Sequence, residues 1–207
     1  MIQTMTAGRA VLLKVFDLDS NVWNQRIFRN EVGLAFGLTR PGFANTYGEI
    51  DFYAIMLTIT IARYFGMKTA TAFVINYWRR WLEGLALAEH TKRARRGANH
   101  LEEICFVIGV DAEGGSEVEI GECEKIYNKF VGAGMLAFPI PLDLVLRRLR
   151  NAAKKAGVSL PKQFTPGDPE SPEFQQWIEE IKQYTKFAEM RGGGASRVKK
   201  RKAKATA

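Results

Sequence analysis

The sequence predicts a mostly helical α+β fold, and three observations lead to that prediction. Apolar residues recur at three- and four-residue spacing through much of residues 1–97, which is the period of a helix that packs on a core. Residues 104–140 instead contain short β-branched and aromatic runs bounded by turn residues. The chain then ends in a basic segment with nothing to bury, which predicts disorder over residues 191–207.

The composition indicates a globular protein, because 46% of the 207 residues are hydrophobic and 25% are charged. Two cysteines and two histidines supply neither a disulfide framework nor a zinc-ligand cluster, so we expect no cofactor and no metal. The longest uncharged stretches, 52–62 and 130–142, are shorter than the roughly 20 residues of a membrane-spanning helix. Without a signal-peptide pattern at the N-terminus, we expect a cytoplasmic protein with no membrane partner.

The net charge of +8 is divided unevenly along the chain. Residues 1–100 carry 13 basic and 7 acidic residues, residues 101–190 carry 10 and 15, and residues 191–207 carry 7 and none. Phosphate-rich partners would be attracted to the first and third parts and repelled by the second. A tail that only confers solubility is the alternative that the charge pattern leaves open.

The apolar run from Ala10 to Leu18 predicts a first helix. The Asp19–Asn21 segment that follows has N-cap chemistry, because short oxygen-bearing side chains accept hydrogen bonds from the free N–H groups at a helix start. We expect a second helix over Val22–Val32, with Gly33 as its terminator.

A loop rich in helix breakers covers residues 37–46, and helical spacing resumes over Glu49–Tyr64. Gly66 predicts a break after this third helix. Thr69 is a suitable N-cap for a fourth helix, which we expect to run through the tryptophans at 78 and 81 as far as Arg96.

The middle of the chain predicts a β-hairpin, since strand-like residues 104–110 and 116–120 flank the turn composition of residues 111–115. Further along, the pattern predicts in order a short helix over 122–130, a strand over 135–140, and a helix that Pro141 begins and Gly157 ends. Four prolines make residues 158–172 an irregular connection, and an amphipathic helix is expected over Pro172–Met190.

The first half of the chain contains a series of motif residues that follow the predicted elements in order. They are Gly33-Leu34 after the second helix, Arg40 and Asn45-Thr46-Tyr47 in the following loop, Asp51 four residues beyond Tyr47, Gly66-Met67 after the third helix, and Ala72 in the fourth. This arrangement resembles the winged helix-turn-helix of MerR-like regulators, and the resemblance covers roughly residues 8–82. The resemblance implies that the first part of the chain binds DNA.

The second helix offers a set of amide and guanidinium side chains, which are the groups that read base edges in the major groove. An arginine can donate two hydrogen bonds to guanine O6 and N7, and an asparagine or glutamine can pair with adenine N6 and N7. The candidate base-reading residues are Asn21, Asn24, Gln25, Arg26, Arg29 and Asn30. The alternative is an ordinary solvated helix face, on which these residue types are also common.

Phosphate contacts are expected from two further places. In the family that the sequence resembles, the wing meets the DNA backbone or minor groove, which implies that Arg40 and Tyr47 lie near phosphates. Lys68 and Thr69 stand at a predicted helix N-terminus, where charge, hydroxyl and backbone N–H groups can hold a phosphate. Tyr47 could instead belong with Asp51 to the cap of the next helix. For Trp78–Trp81 we favour an aromatic pair in the core, flanked by two exposed arginines, over a platform for single strands.

The sequence divides into four predicted parts: residues 1–97 form the winged helix-turn-helix domain with an extended fourth helix, 98–157 a small α+β domain, 158–190 a linker and C-terminal helix, and 191–207 the basic tail. We expect sequence-specific binding to double-stranded DNA as a transcription regulator, with a homodimer supplying two half-sites. Whether a small-molecule effector binds is left open.

The alternative function is an interaction or assembly adaptor whose basic tail binds nucleic acid without reading sequence. An enzyme is not expected. His90 and His100 accompany no nucleophile motif, and Cys105 lies in an apolar strand pattern typical of a buried thiol.

Overall fold

The computed structural model describes residues 6–21, 46–94 and 103–192 of the chain. In chain order the elements are β1 Thr6–Gly8, α1 Arg9–Phe16, β2 Thr46–Gly48, α2 Glu49–Asn76, α3 Trp78–Ala94, β3 Ile104–Val110, β4 Ser116–Glu122, α4 Cys123–Gly132, β5 Leu136–Pro141, α5 Leu142–Lys155 and α6 Pro172–Gly192. The predicted class, mixed α+β and mostly helical, is confirmed.

A three-stranded antiparallel sheet has the order β4-β3-β5. The predicted hairpin is confirmed, because β3 pairs with β4 from Ile104 opposite Glu122 to Val110 opposite Ser116. The carboxylate of Asp111 accepts hydrogen bonds from the backbone N–H groups of Glu113 and Gly115 at 2.9 and 2.7 Å. This side chain therefore closes the turn between the two strands.

The sheet is covered on both faces. Phe106 and Ile108 of β3 belong to the main core, against which α3 and α5 pack. Cys105 and Val107 point to the other face, where they contact Ile126 of α4 and its neighbour Phe130. A central strand buried on both sides has an uninterrupted apolar sequence instead of an alternating one, which is why the sequence identified it.

Helix α2 lies in the middle of the molecule. Every residue from Glu49 to Thr58 is buried, and the helix packs against α3, α5 and β2. The Tyr53 hydroxyl donates a hydrogen bond to the Leu142 carbonyl at 3.1 Å, and burial raises the pKa of this phenol well above its ordinary value, so it stays a donor. Among the described residues α2 is the one helix long and apolar enough to cross a membrane, and most of its apolar stretch is buried inside the protein.

Two interruptions divide the long helical region. Gly66 has φ 74° and ψ 164°, which confirms the predicted break after the third helix. The expected continuous fourth helix from Thr69 to Arg96 is wrong, because the chain leaves helical geometry again at Tyr77, between α2 and α3. The Trp81 indole donates to the Val74 carbonyl at 2.9 Å, so a side chain satisfies a backbone acceptor at the end of α2.

The end of α5 is closed by a Schellman motif. Gly157, at φ +68°, donates to the Lys154 carbonyl at 3.1 Å, and Val158 donates to the Ala153 carbonyl at 2.8 Å. The predicted stop at Gly157 is confirmed.

A buried carboxylate then fastens the proline-rich connection to the helices. Glu89 of α3 accepts hydrogen bonds from the backbone N–H groups of Phe164 and Thr165 and from the Thr165 hydroxyl, at 2.8 to 3.2 Å. Four apolar residues of α6, Phe174, Trp177, Ile178 and Ile181, pack into the core that also contains Leu12 of α1. One continuous core thus spans the described parts of the chain, including both sides of the predicted domain boundary at residue 97.

Gly84 makes close packing possible where α3 meets β4 and α5. A Cβ atom at this position would lie 2.6 Å from Cγ2 of Ile120 and 2.6 Å from Cδ1 of Leu142. We expect Gly84→Ala to lower the free energy of unfolding by about 1–3 kcal/mol, because overpacking outweighs the helix propensity gained. Chemical denaturation measures the change. Gly132→Ala is the matched control, since a Cβ at this helical glycine meets nothing within 4 Å; equal stability of the two variants would contradict the packing argument.

Candidate nucleic-acid interface

A short turn joins α1 to the start of a second helix. Leu12 and Val15 bury one side of α1 in the core. Asp17 adopts the left-handed conformation at φ 50° and ψ 52°, and the Leu18 N–H donates to the Leu13 carbonyl at 2.9 Å, which ends α1. Helical geometry resumes at Ser20. Three residues, Asp17 to Asp19, thus separate α1 from the next helical residues, Ser20 and Asn21.

Asp19 is the N-cap of the segment that begins at Ser20. Its Oδ1 atom accepts a hydrogen bond from the Asn21 N–H at 2.7 Å, which confirms the predicted capping chemistry. Arg9 of α1 donates to the Ser20 carbonyl at 2.9 Å and to the Ser20 hydroxyl at 2.5 Å. The cap and this arginine fix where the second helix starts, and the Asn21 side chain is exposed there.

Most of the proposed reading residues lie outside the described residues. This is the case for Asn24, Gln25, Arg26, Arg29 and Asn30, and also for Arg40 of the expected wing. Their assignments to base edges and phosphates therefore stay predictions.

Tyr47 requires a correction. It is fully buried in β2, opposite Ala7 of β1, so it does not present its ring or hydroxyl to a phosphate. Asp51 accepts a hydrogen bond from the Gly48 N–H at 2.9 Å, which caps α2. The capping alternative is thus the one observed for Asp51, while Tyr47 fills the core beneath the paired strands.

Lys68 and Thr69 are both exposed, and they follow closely after the break at Gly66. Arg63 and Tyr64 are exposed on the other side of the same break, with 58% of Tyr64 accessible. The two predicted phosphate-binding residues are therefore accessible to an anion, at the start of the second segment of α2.

The Trp78–Trp81 segment behaves as the sequence indicated. Trp81 is fully buried and Trp78 is half-buried, while Arg79 and Arg80 are exposed. Arg80 donates to the Val118 carbonyl at 2.5 Å, and Arg79 pairs with Glu83 at 2.9 Å. Because its ring is enclosed, Trp81 is unable to stack on a base, which weakens the single-strand interpretation.

The sequence reasoning missed a cationic face on α5. Leu142, Val145, Leu146, Leu149 and Ala153 bury one side of this helix, whereas Arg147, Arg150, Lys154 and Lys155 are exposed on the other. The signal was available as basic residues at helical spacing, but the net negative charge of residues 101–190 concealed it. Many of the acidic residues behind that charge lie instead on and around β4 and in the first turn of α4.

Cys105 is unsuited to act as a nucleophile. Cys105 is fully buried, and burial raises the pKa of its thiol, with a hydrogen bond to Cys123 as a further cause. A protonated, enclosed thiol is a poor nucleophile. Among the described residues, no group of three or more His, Cys, Asp or Glu side chains converges in a way that could hold a metal ion.

Comparison with protein-family models gives no match to this chain, and comparison with curated proteins gives none. The resemblance of residues 8–82 to MerR-like regulators therefore stays a prediction. It depends on the motif residues and on how the turn before Ser20 is built.

The cap at Asp19 gives a direct test of that turn. We expect Asp19→Ala to lower the free energy of unfolding by about 1 kcal/mol, since the Asn21 N–H loses its acceptor, while Asp19→Asn keeps most of the stability. Thermal and chemical denaturation measure both variants. Asp17→Gly serves as the control, because glycine adopts the left-handed conformation without strain and should be neutral or stabilising. A loss for Asp19→Asn as large as for Asp19→Ala would contradict the capping role.

Proposed function

We propose that the protein binds double-stranded DNA in a sequence-specific manner and acts as a transcription regulator. One observation carries the proposal. The turn after α1 places a capped helix start at Ser20, and the next ten residues of the sequence contain six amide or guanidinium side chains. A polar series of this kind, at the start of a helix that follows a short turn, supplies the side chains that major-groove reading uses.

The proposed reading follows from how a helix-turn-helix docks. The N-terminal residues of its second helix contact base edges, while the first helix crosses the backbone. Asn21, Asn24 and Gln25 would accordingly pair with adenines, and Arg26 and Arg29 with guanines. Asn30 belongs to the same proposed set.

Phosphate contacts would hold the protein in register without specifying sequence. Lys68 and Thr69 support this role because they are exposed, and Arg40 is proposed for the wing from the family resemblance. The basic residues of 191–207 would add salt-dependent affinity for any DNA. A homodimer would double the contacts, as two half-sites give more specificity than one short helix.

A second candidate is the adaptor function, and exposed apolar residues favour it. Tyr127 and Val131 are one turn apart on α4, and Leu136 begins β5 with 68% of its surface accessible. Exposed apolar groups of this size are typical of protein contacts. The adaptor would recruit a partner there and bind nucleic acid through its tail without preference for sequence.

The double variant Arg26→Ala/Arg29→Ala tests the proposed function. We expect it to lose most of its selectivity for a preferred duplex over scrambled DNA, because each bidentate contact to guanine contributes about 1–3 kcal/mol of discrimination. Selection from random duplex DNA identifies the preferred site, and competition binding measures the selectivity.

Lys125→Ala/Lys182→Ala removes the same charge from α4 and α6, and should leave selectivity intact. Unchanged selectivity in the arginine variant, with its fold verified by circular dichroism, would show that this segment is not the reader. If the selection finds no preferred site at all, the adaptor interpretation replaces the regulator.

A further inference from the structure

We propose that the groove between the C-terminal half of α5 and the loop 157–162 binds phosphate groups of a nucleic-acid backbone. The groove has a volume of ≈ 590 Å³. Of the residues that the structure describes, three cationic side chains line it, Arg150, Lys154 and Lys162, and no acidic one does. The inference deepens the proposed function, since it assumes that the partner is a nucleic acid.

Arg150 is held in place before any ligand arrives. Its guanidinium donates to the Lys162 carbonyl at 2.6 Å and lies over the Phe164 ring, 5.9 Å from its centroid. The same hydrogen bond holds the loop that carries Lys162 against α5. An arginine fixed on two sides loses little conformational entropy when it binds an anion, which favours phosphate recognition.

The two lysines keep their charge available. Within the described part of the chain, no carboxylate lies at ion-pair distance from Lys154 or Lys162. By contrast, Arg147, two turns before Lys154 on the same helix, pairs with Asp143 at 3.4 Å. Ser159 adds an exposed hydroxyl to the wall of the groove. Cations without a protein counterion are the groups that gain most from an external anion.

The C-terminus of α5 carries less partial negative charge than a helix end with all of its last carbonyls free, so it offsets the positive charge of the groove less. The carbonyls of Ala153 and Lys154 accept the N–H groups of Val158 and Gly157, so two of the last acceptors of α5 are already occupied. Lys154 and Lys155 would suit the last turn of any helix. That explanation does not extend to Arg150, one turn earlier, or to Lys162, which lies on the following loop.

A polymer fits the arrangement better than one compact phosphate. From Arg150 to Lys154 the cations of the groove extend over four residues, or about 6 Å along the helix axis, and Lys162 adds a third charge on the following loop. A nucleic-acid strand presents a charge about every 3.4 Å along its duplex axis, so it offers about two phosphates over this length. Helix α5 also packs against α1, so the groove and the turn that ends α1 belong to the same body.

Charge reversal in the full-length protein tests the groove. We expect Lys154→Glu/Lys162→Glu to raise the dissociation constant for random-sequence duplex DNA by about tenfold or more. The slope of log affinity against log salt should fall by about two, because each lost phosphate contact removes about 0.9. Lys155→Glu/Lys182→Glu is the matched control: it reverses two exposed lysines, one adjacent to Lys154 on α5, and neither lines the groove. The control should change affinity by less than about threefold.

Two results would overturn the inference. Equal weakening in both double variants would mean that overall charge, and not the groove, attracts DNA. Unchanged DNA binding with loss of pyrophosphate binding, measured by calorimetry, would assign the groove to small phosphorylated molecules. A different result would contradict the proposed function, namely that selection from random duplex DNA finds no preferred site. In that case the affinity for random-sequence DNA is still measurable, so the groove is tested independently.

Discussion

Complete burial of the first ten residues of α2, from Glu49 to Thr58, is the constraint that the rest of the fold depends on. A helix whose first ten residues are all enclosed has to be surrounded, and α1, α3, α5 and the paired strands β1 and β2 provide that cover. The Tyr53–Leu142 hydrogen bond ties its centre to the start of α5. The turn before Ser20 and the basic face of α5 are therefore parts of one packed unit, although they are more than 120 residues apart in sequence.

Glu89 extends that constraint to the surface groove. A buried carboxylate is costly unless its oxygens are hydrogen-bonded, and here three donors from residues 164 and 165 satisfy it. The loop is thereby fixed against α3, which positions Phe164 beneath Arg150. The arrangement of cations in the groove thus follows from an interaction of the core.

The sequence predicted most elements of residues 104–192 because their local signals agree with their environment. Ile104–Val110 is buried on both faces and apolar throughout, and Pro141 and Gly157 mark the two ends of α5. The sequence did not predict β1 and β2, since three residues are too few to show a strand period. It also missed the break at Tyr77, which involves a hydrogen bond between Trp81 and Val74 that no composition rule reveals.

The candidate site was less predictable than the fold. Asp19 was identified as part of a cap because its chemistry is local, and its hydrogen bond to Asn21 agrees. Tyr47 was predicted to be accessible to a phosphate, but a position in a motif carries no information about burial. In the structure the pairing of β1 with β2 encloses this residue. The cationic face of α5 is hidden in the net charge of residues 101–190, because 15 acidic residues outnumber 10 basic ones there.

A segment beginning at Ser20 that reads base edges in the major groove would contact N7 of purines. Replacing the purines of the selected duplex one at a time by their 7-deaza analogues, and measuring the affinity for each duplex, tests this directly. This change removes the N7 acceptor and leaves Watson–Crick pairing intact. We expect the dissociation constant to rise about tenfold at a few clustered purines, because the arginine and amide contacts both use N7. Affinity that is insensitive to N7 at every position would contradict it.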